Sequence, residues 1–101
     1  MTRRTQLEAM LADSPQDTFL RYALAMELDS EEEHEKSLEI HRKLMNEDPP
    51  YVPSFFMSGQ QLTKLDRTDE ACEILKQGIE QARQQGDTHA AAEMAEFLEM
   101  L

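Results

Sequence analysis

The chain has 101 residues, 40% of them hydrophobic and 6% aromatic, and its formal net charge is −11. A chain of this length forms one domain with a single core. The charge comes from 21 acidic against 10 basic residues, and it argues against binding to nucleic acid or to an anionic membrane surface.

The sequence carries no targeting segment. The arginines near the N-terminus are not followed by the apolar core of a secretory signal. No run approaches the roughly 18 consecutive apolar residues of a membrane-spanning helix. Cys72 is the only cysteine, so the chain forms no internal disulfide. These features together predict a cytoplasmic protein.

Helical periodicity begins at the N-terminus. A first helix is expected over 3–13, and Ser14 is the predicted cap of the second. Ser30 and Glu33 form a capping-box pattern, which predicts that a third helix opens there. The pair Pro49-Pro50 ends it, because proline lacks the backbone donor and restricts the preceding residue.

The second half continues the pattern. Pro53 falls in the first turn of a fourth helix, and Asp66 or Thr68 is the predicted cap of a fifth. Gly86 is expected to end that helix, and Asp87 to cap the sixth. No segment has the pattern of a β-hairpin, so the predicted fold class is all-α with six helices.

The chain also matches itself when it is shifted by 34 residues, with large residues falling on large and small on small. The aligned pairs are Tyr22 with Phe56, Ala25 with Gly59, Leu28 with Leu62, Ser37 with Ala71, and Ile40 with Ile74. This pattern resembles the tetratricopeptide repeat, a helix-turn-helix unit of 34 residues. In the second copy Phe55 stands at the family's leading aromatic position, and Ala71 and Gly78 stand at its small positions.

The resemblance covers nearly the whole chain. The layout of the chain is similar to that of a small bacterial protein with two repeats. It implies an α-α superhelix in a single domain of residues 1–101: an N-terminal helix (3–13), two repeats (18–51 and 52–85) and a C-terminal capping helix (87–101). The chain departs from the family pattern at four points. Arg21 replaces the leading aromatic of the first copy, Ser58 replaces a leucine, Leu44 replaces a small residue, and the second copy has no closing proline.

The family commonly binds peptides on the concave surface formed by the first helix of each repeat, so the resemblance implies a non-catalytic protein-interaction module. Carried over position by position, the groove consists of Phe19, Tyr22, Met26 and Asp29 from the first repeat and Pro53, Phe56, Met57, Gln60 and Thr63 from the second. An apolar groove edged by acids suits a partner segment with apolar anchors and Lys or Arg. The alternative is that Phe19, Tyr22 and Phe56 only pack against neighbouring helices, as aromatic stripes at helical spacing usually do.

No other pattern indicates chemistry. His34 and His41 lie about 10 Å apart along one helix, too far to share a zinc ion, and His41 is interpreted as a partly covered position. Cys72 is interpreted as a packed thiol. No phosphate-binding glycine loop or nucleophile elbow occurs. We therefore predict no catalytic residues, no metal site and no cofactor, and hence no enzyme.

A second hypothesis is a self-assembling scaffold protein. Phe97 and Met100 lie off the apolar stripe of the last helix, which would leave surface for a second copy of the chain.

Overall fold

A computed structural model describes residues 2–101. Its helices are α1 (Arg3–Asp13), α2 (Thr18–Ser30), α3 (His34–Met45), α4 (Val52–Lys64), α5 (Thr68–Gln84) and α6 (Thr88–Glu99). No strand occurs in these residues, so the all-α prediction is confirmed. None of the helices has the length and hydrophobicity needed to cross a bilayer. The helices fall into two compact units, one ending at Leu44 and the other running from Met45 to Leu101.

The first unit holds α1, α2 and nearly all of α3. α1 packs on α2, and Leu7 is its one buried residue. α2 buries Ala25 and Leu28, and α3 buries Leu38. The Ser37 hydroxyl on α3 donates a hydrogen bond to the Ala25 carbonyl. This bond joins α3 to α2 at a point where the small Ala25 side chain lets the backbones approach.

The second unit is built around α5, which packs against both α4 and α6. Its core cluster consists of Met45, Val52, Phe55, Leu75, Ile79, Ala82, Ala91 and Met94. Gly78 lies where the three helices meet: a Cβ atom there would sit 2.5 Å from Phe55 Cβ and 2.7 Å from Met94 Sδ. Both distances are too short for a side chain, so the glycine sets how closely α5 approaches its neighbours.

The turn between α2 and α3 and the turn between α4 and α5 have the same backbone geometry, and they lie one 34-residue repeat apart. Glu32 and Asp66 adopt left-handed conformations with φ of 64° and 60°. Glu33 N donates to Leu28 O and Arg67 N donates to Leu62 O, each at 2.8 Å. These hydrogen bonds over five residues are typical of Schellman-type helix ends. The internal repeat therefore extends from the side-chain pattern to the turns.

Helix α2 begins later than predicted. Asp17 caps it, because Asp17 Oδ1 accepts a hydrogen bond from Leu20 N at 2.9 Å. Ser14 instead ends α1, where its backbone N–H donates to Met10 O. The predicted Ser14 cap is therefore wrong.

Two further caps also differ from prediction. Ser30 belongs to the last turn of α2, where its hydroxyl donates to Glu27 O, so the expected capping box does not form. α5 follows Arg67, whose side chain makes no capping bond. In contrast, Asp87 caps α6 as predicted, through a 3.0 Å bond from Ala90 N.

α3 ends at Met45, before the Pro49-Pro50 pair that was expected to end it. Two other boundary signals agree with the sequence. Pro53 lies in the first turn of α4. Gly86, with φ of 78°, follows the end of α5, and it is the residue type that adopts this conformation without steric cost.

The contacts at Gly78 predict a loss of stability in Gly78→Ala. Overpacking against atoms tied to the α4 backbone outweighs the gain of about 1 kcal/mol in helix propensity. We expect the free energy of unfolding to fall by about 1–2 kcal/mol in urea titrations. Gln77→Ala, at an exposed position of the same helix, is the control and should change stability little. A Gly78→Ala protein as stable as the wild type would contradict the packing described here.

The left-handed residue Glu32 predicts the opposite effect. Glu32→Gly should raise the free energy of unfolding by about 0.5–1 kcal/mol relative to Glu32→Ala, because a Cβ atom disfavours this conformation. Both variants remove the same charge. The difference between their urea midpoints therefore measures only the cost of placing a Cβ atom in the left-handed conformation. Equal midpoints would show that the turn carries no such strain.

Candidate functional site

The face of α2 that was predicted to bind a partner exposes two large apolar side chains. Phe19, Tyr22 and Met26 follow helical spacing along one side of α2. Phe19 is 71% exposed and Met26 is 41% exposed. Neither side chain is therefore buried in the core. For Phe19, this exposure disagrees with the alternative that its ring only packs against neighbouring helices.

Tyr22 and Asp29 on the same side have partners within the first unit. The Tyr22 ring meets the His41 ring edge-on, with centroids 5.6 Å apart. Asp29 Oδ1 lies 2.7 Å from His34 Nδ1. For Tyr22, which is half-buried, the structure agrees with the alternative that its ring packs against a neighbouring helix.

His41 is fully buried, which corrects its interpretation as a partly covered position. Burial lowers the pKa of His41 to about 4 from its ordinary value of 6.5, and this effect outweighs the nearby Asp29 carboxylate, which acts in the opposite direction. The imidazole is therefore neutral at physiological pH. The repeat register contained the signal for this burial, because the corresponding residue of the second copy is the buried Leu75.

The predicted site residues of α4 share one side of that helix but are less accessible. Pro53 is exposed, whereas Met57 and Gln60 are half-buried. Phe56 packs edge-on against Phe97 of α6, with ring centroids 5.8 Å apart. The Thr63 hydroxyl donates to the Gly59 carbonyl at 2.8 Å. Phe56 thus both supports the second unit and presents part of its ring on this face.

The contact between Phe56 and Phe97 also bears on self-assembly. Phe97 is half-buried and packs on the core of the second unit, so it offers less free surface than its sequence position implied. Met100 is 75% exposed. Of the two residues named for a contact between copies, Met100 alone is largely free.

The other side chains singled out by sequence form no reactive centre. Cys72 is a half-buried free thiol. Within residues 2–101, His, Cys, Asp and Glu side chains form no group of three that suits a metal ion.

Comparison with known proteins identifies a relative of known structure. The chain is 35% identical to a tetratricopeptide repeat domain protein from Salinibacter ruber whose solution NMR structure is known. The two structures match with a TM-score of 0.79, over 85% of this chain and 87% of that one. No protein-family model matches the sequence, and no curated protein matches it either.

The buried neutral His41 predicts acid sensitivity. The unfolded chain binds a proton at this residue near pH 6.5, but the folded protein does so only near pH 4. The free energy of unfolding should therefore fall as pH drops through this window and be unaffected by His41 above it. Between about pH 7.5 and about pH 5, His41 should account for a loss of about 2 kcal/mol.

The matched variant is His41→Leu. It gives the first copy of the repeat the leucine that the second copy has at the corresponding position, Leu75. Urea titrations at both pH values should show a smaller loss of stability on acidification in the variant than in the wild type. Circular dichroism at neutral pH checks that the variant is folded. Identical pH dependence in the two proteins would rule out a buried neutral histidine.

Proposed function

The chain belongs to the tetratricopeptide repeat family, and on that premise we propose that it binds short peptide segments of partner proteins, on the exposed face of α2 in the first unit and on the corresponding face of α4 in the second. Helical repeats of this family are protein-interaction modules, and interaction with other proteins is the general role that the relationship supports. The proposal adds the face, the residues and the chemistry of the segment. It includes no catalytic step and no cofactor.

The observation that carries the proposal is the pair of exposed apolar side chains on α2. Phe19 and Met26 are seven residues apart, which is about 10 Å along a helix. That separation equals about three residues of an extended peptide at roughly 3.3 Å per residue. A segment with two apolar side chains at that spacing covers both, and removing this surface from water contributes about 25 cal/mol per Å².

The α4 face of the second unit is the more rigid of the two proposed binding surfaces. Phe56 is held by Phe97, so its ring loses little conformational freedom when a partner binds. Met57 adds a flexible apolar side chain that adapts to different contacts. Gln60 offers an amide that both donates and accepts hydrogen bonds to a peptide backbone. Pro53 and Thr63 mark the two ends of this face.

Charge selects the kind of segment. The net charge of −11 and the Asp29 carboxylate at the end of the α2 face favour Lys or Arg beside the apolar anchors. Long-range attraction of this kind speeds association and weakens as salt is added. A cytoplasmic location and a bacterial source fit the lone Cys72 and the Salinibacter ruber relative, and they form part of this proposal.

The test uses residues whose loss leaves the core intact. Tyr22 and Phe56 are unsuitable because both pack against other rings. Peptides selected from a random display library on the full chain would be titrated against Phe19→Ser/Met26→Ser. We expect the double variant to bind at least about tenfold more weakly, as is typical when central apolar anchors are removed.

The control is Met10→Ser/Met100→Ser, which removes two other exposed apolar side chains, 52% and 75% exposed. Selected peptides should bind this control as they bind the wild type. Three results would contradict the proposal: undiminished binding to the α2 variant, equal losses in both variants, or a library that yields no saturable peptide.

A further inference from the structure

The first unit contains a cleft that the sequence did not predict. It has a volume of about 450 Å³ and is lined by Arg4 and Glu8 of α1, Leu28 of α2, and Glu35, Lys36, Glu39 and Ile40 of α3. Leu28 and Ile40 form its apolar floor, and the charged side chains form its rim. Side chains on α1 and α3 therefore surround an apolar depression.

This cleft lies away from the face of α2 discussed above. Leu28 follows Phe19 by nine residues, which is two and a half turns of an α-helix. The two side chains therefore point to opposite sides of α2. A ligand in the cleft and a ligand on the Phe19 face would contact different residues.

The two cations of the rim are already held by acids. Arg4 Nη1 lies 3.1 Å from Glu31 Oε1, and Arg4 Nε lies 3.6 Å from Glu8 Oε2. Lys36 Nζ lies 3.2 Å from Glu33 Oε2. Neither cation is left to attract an anionic ligand.

The rim keeps an excess of negative charge. Glu35 and Glu39 share Arg42, at 3.9 Å and 3.1 Å. Among the side chains that line the cleft, the three carboxylates of Glu8, Glu35 and Glu39 stand against the two cations of Arg4 and Lys36. Because opposite charges favour association, a cationic ligand suits this rim.

We propose that this cleft is a second docking site of the first unit, separate from the Phe19 face of α2, and that its occupant is a peptide segment of a partner protein with a leucine-like side chain next to Lys or Arg. Pockets of roughly 300–1,000 Å³ hold one drug-sized group, so a cleft of this size takes one or two side chains of a peptide. The apolar side chain covers Leu28 and Ile40, and the basic side chain lies near Glu35 and Glu39. A second copy of this chain, with a net charge of −11, is the less suitable occupant.

The experiment is an NMR titration of the isotopically labelled full chain with the probe acetyl-Lys-Leu-Leu-Lys-amide. We expect saturable shifts at the methyl groups of Leu28 and Ile40 that weaken at high salt. Acetyl-Glu-Leu-Leu-Glu-amide tests the charge requirement and acetyl-Lys-Ser-Ser-Lys-amide tests the apolar one. Both should bind much more weakly than the first probe.

The variant Glu35→Lys/Glu39→Lys inverts the rim at exposed positions, so folding is not at risk. It should bind the lysine probe about tenfold more weakly, given the loss of two surface charge contacts, and bind the glutamate probe more tightly. The matched control is Glu96→Lys/Glu99→Lys on α6, where both side chains are also exposed. It makes the same change in net charge far along the chain and should leave binding at Leu28 and Ile40 unaltered.

Several outcomes would overturn the proposal. One is the absence of saturable shifts with the lysine probe, and another is an equal loss of affinity in the two charge variants. Shifts confined to Phe19 and Met26 would also overturn it, while supporting peptide binding on the α2 face. Conversely, shifts at Leu28 and Ile40 that persist in Phe19→Ser/Met26→Ser would support the cleft whether or not the other face binds peptides.

Discussion

The close approach of three helices at Gly78 is the constraint on which the second unit depends. A helix pair in a repeat cannot bury its apolar side by itself, so α5 must be covered by α4 on one side and by α6 on the other. The absence of a side chain at Gly78 brings Phe55 and Met94 to the α5 backbone. Leu75 and Ala82 then fall into the same buried cluster, and the terminal helix α6 becomes part of the core.

This packing also determines what the second unit presents to a partner. With Phe55 directed into the core, the neighbouring Phe56 lies at the boundary and rests on Phe97. The first unit differs, because its corresponding aromatic residue, Tyr22, rests on the buried His41. The most exposed side chain of its face, Phe19, lies one turn earlier. The two copies of the repeat thus hold their corresponding half-buried aromatic residues against different partners.

Sequence reasoning predicted the helices and the repeat because burial imposes helical periodicity and a fixed spacing on apolar residues. It failed at the cap of α2, because Ser14 and Asp17 are both good capping residues and the turn geometry decides between them. It likewise missed that α2 extends to Ser30, since the left-handed turn at Glu32 gives no strong sequence signal. How far the predicted site residues are exposed depends on contacts between helices, which a one-dimensional pattern does not contain.

The single buried residue of α1 has a consequence for dynamics. Leu7 alone anchors this helix in the core, and the ion pairs of Arg3 and Arg4 are surface contacts of small energy. Helices with few buried contacts open locally before the rest of a protein unfolds. Amide protons of α1 should therefore exchange faster than those of α5. Each such opening removes one wall of the cleft above Leu28. The cleft therefore exists only while α1 is packed against the rest of the first unit.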